Sequence, residues 1–157
     1  MISFLSKINF FQDFTFLIAV ILLTVAVAFL IGRHRLVSLL FGIYISLALL
    51  DVVSVKYIQD YLFQVIFFLV ALFITTILGR KIVGAYVSKS DFMWRIIVLS
   101  FLEVMAILSI VAAILPKEKA LEYISPNAYS YLISPEFYLL WLTLPLIFVY
   151  LIRKRLN

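Results

Sequence analysis

The sequence predicts an all-α, polytopic membrane helix bundle with five transmembrane helices, the N-terminus outside and the C-terminus in the cytoplasm. Three observations predict it. Hydrophobic residues make up 66% of the 157 positions and charged residues 13%, against ~45–50% and ~25% in a soluble domain. Such a chain cannot cover a water-facing surface with polar groups. Apolar runs near the ~20 residues needed to cross ~30 Å of hydrocarbon recur five times. Basic residues gather on alternate sides of those runs, as orientation in a membrane requires. The same composition excludes a disordered chain and an ordinary soluble enzyme, and the absence of cysteine excludes a disulfide scaffold. Residues 1–157 read as a single integral membrane domain.

The first run, 14–32, carries no formal charge. The second, 36–55, is interrupted only by Asp51. The third, 61–79, is uncharged, and the fourth, 96–115, is interrupted only by Glu103. The fifth, 137–152, is slightly short, with Pro135 and Glu136 at its mouth. In lipid each must be helical, because an open strand would leave its backbone groups unpaired. The first dozen residues, with Phe4, Leu5, Ile8, Phe10 and Phe11, read as a short interfacial segment. A cleaved signal peptide fits poorly, since the apolar run is too long and its end, Ala28-Phe29-Leu30-Ile31-Gly32, is a poor cleavage site.

Arg33, Arg35, Arg80, Lys81, Lys89, Arg95, Arg153, Lys154 and Arg155 fall on one side, and Lys7, Lys56, Lys117 and Lys119 on the other. The positive-inside rule places the first set in the cytoplasm. The net charge of +5 is therefore topogenic. The basic clusters read as headgroup anchors, which makes the lipid bilayer the first partner and excludes nucleic acid.

Tight loops make spans one to three an antiparallel meander. Ser90 reads as the N-cap of span four, with Asp91 in its first turn. Residues 116–136 form the longest connection, an external loop. Within it Lys117 to Tyr123 suggests a helical turn or two. Ser125-Pro126 and Ser134-Pro135 each read as an N-cap followed by proline at the first helical position. Tyr123, Tyr129, Tyr131, Tyr138 and Trp141 are the residue types of a membrane interface.

Small residues recur four apart: Thr24, Ala28 and Gly32 in span one; Ser38, Gly42 and Ser46 in span two; Ala71, Thr75 and Gly79 in span three. Residues four apart share a helix face, and small side chains there let two backbones approach closely. Gly32 with Ser38, Ala28 with Gly42 and Thr24 with Ser46 keep a constant index sum, as facing positions across a tight antiparallel turn must. The expectation is a closely packed hairpin of spans one and two.

Glu103 lies at the middle of span four, the most expensive depth for a charge, and Asp51 nearer the outer end of span two. At ~100° per residue, Glu103 shares a broad face with Arg95, Ala106, Ser109 and Ala113. One reading is a proton or cation relay through Glu103, with Asp51 and Gln64 nearer the outer mouth. A second is structural: a neutral acid hydrogen-bonded to Ser46, Thr24 or Thr75 on neighbouring helices. A third is a subunit contact. Asp51 also reads as an interfacial residue beside Lys56. His34, between Arg33 and Arg35, reads as solvated. With one histidine and no cysteine, no metal cage of the usual N/S type can form within one chain. No nucleotide-binding or serine-hydrolase motif is present, and no cofactor is implied.

The turn Gly32-Arg33-His34-Arg35 after span one, the segment Ser88 to Asp91 before span four, and the run Ile110 to Leu115 closing it resemble the bacterial colicin V production family of small inner-membrane proteins. The resemblance covers roughly residues 14 to 116. The chain departs from the family's pattern in having no Arg-Gly after span one, no glycine beyond Gly84, a fifth span and a tyrosine-rich external loop. The resemblance implies an envelope or secretion-related role in the bacterial inner membrane and no enzymatic activity. The function expected from the residues is a non-enzymatic assembly or scaffold subunit, joined through its small-residue faces to copies of itself or to another membrane protein. The alternative is a small oligomeric transporter or channel with Glu103 in its pathway.

Overall fold

The computed structural model describes residues 2–31, 35–54, 60–82 and 93–154, all helical apart from short connections. The helices are α1 (Ile2–Ile31), α2 (Leu36–Ser54), α3 (Tyr61–Ile82), α4 (Met93–Ile114), α5 (Lys117–Tyr123), α6 (Pro126–Ile133) and α7 (Pro135–Lys154). Four stretches are each long and apolar enough to cross a membrane: Phe11–Ile31, Leu36–Val53, Tyr61–Gly79 and Met93–Ile114. A fifth crossing is made if α6 and α7, bent by 61° at their junction, count as one broken span. The all-helical membrane bundle is therefore as the composition predicts. The interfacial segment expected before residue 14 is helical and continuous with α1, whose spanning stretch begins at Phe11. Gly32, His34, Lys56 and the Ser90–Asp91 cap lie outside the described residues.

The expected hairpin of the first two spans does not form. The dominant pairing is α2 with α3, while α1 packs mainly on α4 and more lightly on α6. The stripe in α2 does find a small-residue partner, but it is the stripe in α3. A Cβ placed on Gly42 would lie 2.7 Å from Thr76 Oγ1 and 3.2 Å from Thr75 Oγ1, and one placed on Gly79 would lie 3.5 Å from Ser38 Cβ. Stepping four residues up one helix and four down the other brings Ser46 level with Ala71, both buried. The seam carries hydroxyl contacts: Ser46 Oγ and Thr75 Oγ1 are 3.2 Å apart, and Thr75 also donates to the Ala71 carbonyl at 2.7 Å. Lipid tails are as apolar as leucine, so close backbone approach and such polar contacts hold helices together where the hydrophobic effect does not.

In α1, Thr24 is buried but spends its hydroxyl on the Val20 carbonyl of its own helix. Ala28 is half-buried. Val27 and Ile31 are the α1 residues that reach the core of α2 and α3.

Helix α4 is the hub. It touches α1, α2, α3, α6 and α7, and 56% of its span is buried against 11% of that of α1. One core, with Leu39, Ile43, Phe68 and Leu72, meets α4 at Ile110. A second, with Val20 and Leu132, meets it at Val104, Met105 and Ala112. Helix α7 is pinned to α4 by edge-on ring pairs, Trp94 with Phe148 and Phe101 with Trp141.

The connection between α4 and α7 is folded and partly buried. Ser125 caps α6 by accepting from the Ala128 N–H at 3.1 Å, as the Ser-Pro spacing predicts, and its hydroxyl donates to Asp13 Oδ1 on α1. Ala128 and Leu132 are buried against the bundle. Pro135 begins α7 as expected, but the Ser134 hydroxyl has no partner among the described residues and caps nothing. The C-terminus of α6 already orders that junction through its own backbone, Ser134 N–H donating to the Ser130 carbonyl.

Candidate functional site

Glu103 stands at the midpoint of α4, wholly buried, and neither carboxylate oxygen has a hydrogen-bond partner among the described residues. Its depth follows from the sequence: α4 is apolar on every side, so a hub position seals whatever lies at its centre. One turn earlier, on the same side of the helix, Ser100 is also wholly buried with its hydroxyl unpaired. Ser109, further along, shares that condition. Most buried polar groups in native structures are satisfied, and those that are not call for an explanation.

The structural explanation named three hydroxyls, and all three are engaged elsewhere. Thr24 donates to Val20, and Ser46 and Thr75 contact each other. Arg95 does not reach the carboxylate either; its guanidinium lies over the Trp94 ring, 5.8 Å from the centroid. Of the face expected around Glu103, Ala106 and Ser109 are buried, Arg95 is half-buried, and Ala113 is exposed in a neighbouring cleft.

That cleft brings the other expected residues together. It has a volume of about 560 Å³ and lies among α2, α3, α4 and α7, with Asp51, Gln64, Tyr44, Tyr138, Ile110 and Ala113 in its lining. Asp51 is exposed there and Gln64 half-buried. Tyr138, across the cleft on α7, lies within electrostatic reach of Asp51. Tyr44 joins the cleft to Glu103: it lines the cleft, its phenol lies within electrostatic reach of the Glu103 carboxylate, and its hydroxyl donates to the Leu142 carbonyl of α7. The elements thus set a polar mouth, a phenol and a sealed carboxyl in sequence.

A phenol both donates and accepts hydrogen bonds, so it is a chemically competent intermediary for a proton. In the present arrangement it bonds to Leu142, and the line between mouth and carboxyl is open at that point. Tyr44 was not singled out from the sequence, and Tyr138 was read there only as an interfacial aromatic. For Tyr44 a signal exists: it lies seven residues before Asp51, two helical turns away on the same face of α2.

Among the described residues no three His, Cys, Asp or Glu side chains come together as a metal site. Comparison with models of known families, with curated proteins and with solved structures finds no match.

Proposed function

We propose that this multi-pass membrane protein moves a proton or small cation by way of Glu103, entering from the cleft of Asp51, Gln64 and Tyr138. The observation that carries the reading is the wholly buried, unpartnered carboxyl at the centre of the hub helix. A lone carboxylate in hydrocarbon is costly, and an apolar side chain of similar size would fill the same space at less cost. A group that weakens the bundle and finds no hydrogen-bond partner among the described residues calls for a use. An assembly or scaffold role draws less support, because the small-residue faces of α2 and α3 that motivated it are occupied within the chain. The protein is non-enzymatic in this reading. Its setting in this reading is a bacterial plasma membrane, as the family resemblance implies, with the N-terminus outside, which the distribution of basic residues supports.

The deciding experiment is a proteoliposome flux assay comparing wild type with Glu103→Gln. Flux in the wild type that falls at least about tenfold in the variant, roughly 1.4 kcal/mol in the limiting step, is the expected result. Absence of flux in both proteins, tested with protons and common cations, sinks the proposal. Orientation is tested separately: a cysteine placed at the exposed Glu118 should label from outside.

A further inference from the structure

A second cleft, with no residue in common with the first, lies between α1, α4 and α6. It measures about 450 Å³ and is lined by Asp13, Phe16, Met105, Asn127, Tyr131 and Leu132, with Ala128 between them. We propose that it binds the headgroup of a phospholipid bearing a primary ammonium, with Asp13 as the anionic anchor.

The placement carries the argument. Asp13 sits two residues inside the apolar stretch that begins at Phe11, or ~3 Å along a helix, which is headgroup depth if α1 spans. Its neighbours Phe14 and Leu17 are exposed at 54% and 56%, as lipid-facing positions are. Asp13 accepts one hydrogen bond, from the neutral Ser125 hydroxyl, and forms no ion pair among the described residues. Its negative charge is therefore uncompensated among the described residues, at a surface where lipids present ammonium groups.

The remaining lining matches the rest of such a molecule. Asn127 and Tyr131 supply an amide and a hydroxyl suited to a phosphate. Phe16, Met105 and Leu132 form an apolar wall for the start of an acyl chain. A primary ammonium donates charge-assisted hydrogen bonds to a carboxylate, whereas a quaternary ammonium has no N–H to give. An anionic headgroup without an amine would meet Asp13 as a like charge. The site therefore selects phosphatidylethanolamine over phosphatidylcholine and phosphatidylglycerol.

The test is native mass spectrometry of the full chain released from bilayers containing equal amounts of those three lipids. One phosphatidylethanolamine should be retained in preference to the others by about tenfold, the scale of one charge-assisted hydrogen bond. Asp13→Asn should erase the preference and Asp13→Glu should restore it. Ser125→Ala, which removes the hydrogen bond between α1 and α6 but leaves the charge, should keep it. Equal retention of the three lipids overturns the proposal, as does an Asp13→Asn protein that still selects phosphatidylethanolamine. Equal loss of selectivity in Ser125→Ala and Asp13→Asn also overturns it, since the cleft's shape and not the charge would then be responsible. Saturable, Asp13-dependent binding of water-soluble glycerophosphoethanolamine at equal strength overturns the lipid as ligand. Where Asp13→Asn does not fold, the wild-type selectivity decides.

Discussion

The seam between α2 and α3 and the surroundings of α4 both bury polar side chains, yet what each leaves without a partner differs in kind. In the seam Ser46 and Thr75 share a contact and Thr75 also bonds to its own helix, while the hydroxyls of Ser38 and Thr76 find no partner among the described residues. Around α4, Ser100, Glu103 and Ser109 are wholly buried with no hydrogen-bond partner among the described residues. The seam uses polarity to hold two backbones together. The hub contains polarity that its packing does not need. An unpaired buried hydroxyl therefore does not mark a functional group by itself, since both regions hold them; the ionisable carboxyl of Glu103, far costlier to bury, sets the hub apart.

Substitutions in the two regions should diverge accordingly. Gly42→Leu drives a side chain into Thr75 and Thr76 and should destabilise the bundle by about 3 kcal/mol or more, read as a lower thermal transition in detergent. Gly79→Ala meets Ser38 only at ordinary contact distance, so it should be neutral or gain up to ~1 kcal/mol from helix propensity. An equal loss at both glycines would mean that the seam is not set by close approach at Gly42.

Glu103→Leu should leave stability unchanged or raise it by about 1 kcal/mol or more, because no partner is orphaned, whereas truncating one side of a true buried pair costs ~3–5 kcal/mol. The same thermal measurement checks it, and a large loss would reveal a partner and dissolve the contrast between hub and seam. Thr75→Val should cost about 0.6 kcal/mol, the usual worth of one interhelical hydrogen bond in a membrane; a double-mutant cycle with Ser46→Ala isolates that contact.

The smallest effect belongs to the exposed pair on α5, Lys119 and Glu122 at 3.0 Å. The hydrogen bond to Glu122, and then its charge, hold the Lys119 ammonium above its ordinary 10.5. A raised folded-state value means that the contribution is whole below pH 10.5 and fades as pH rises through the shifted value. Lys119→Ala should leave the thermal transition at pH 7 where it was, and NMR titration of the Lys119 side chain should report a midpoint above 10.5.

Much of the architecture is legible in the residues. Uncharged runs mark the spanning stretches, and Ser125-Pro126 and Pro135 mark the starts of α6 and α7, because local chemistry decides these features. The pairing of helices was not legible by the same means. Any two stripes with four-residue spacing give a constant index sum across a tight turn, so the stripe in α2 fits α1 and α3 equally well on paper. The hydroxyls of Thr75 and Thr76 beside Gly42 are what the α3 pairing adds. At the candidate site, Glu103, Asp51 and Gln64 were readable from depth alone. Tyr44 was hidden as one more aromatic inside an apolar span, Tyr138 by its reading as an interfacial aromatic, and Asp13 by its partner Ser125 lying 112 residues away.

The hub position of α4 has a consequence for how the protein is made. Helices α2 and α3 are adjacent in the chain, so they can close their seam as soon as both have entered the membrane. Helix α1 emerges before either, yet its principal partner is α4, whose last residue follows α1 by more than eighty positions. At ~5–20 residues per second, α1 waits roughly 4 to 16 s for it. Over that interval α1 stands in lipid or against the insertion machinery, and α4 enters before α6 and α7, two of the helices that pack on it, have been made.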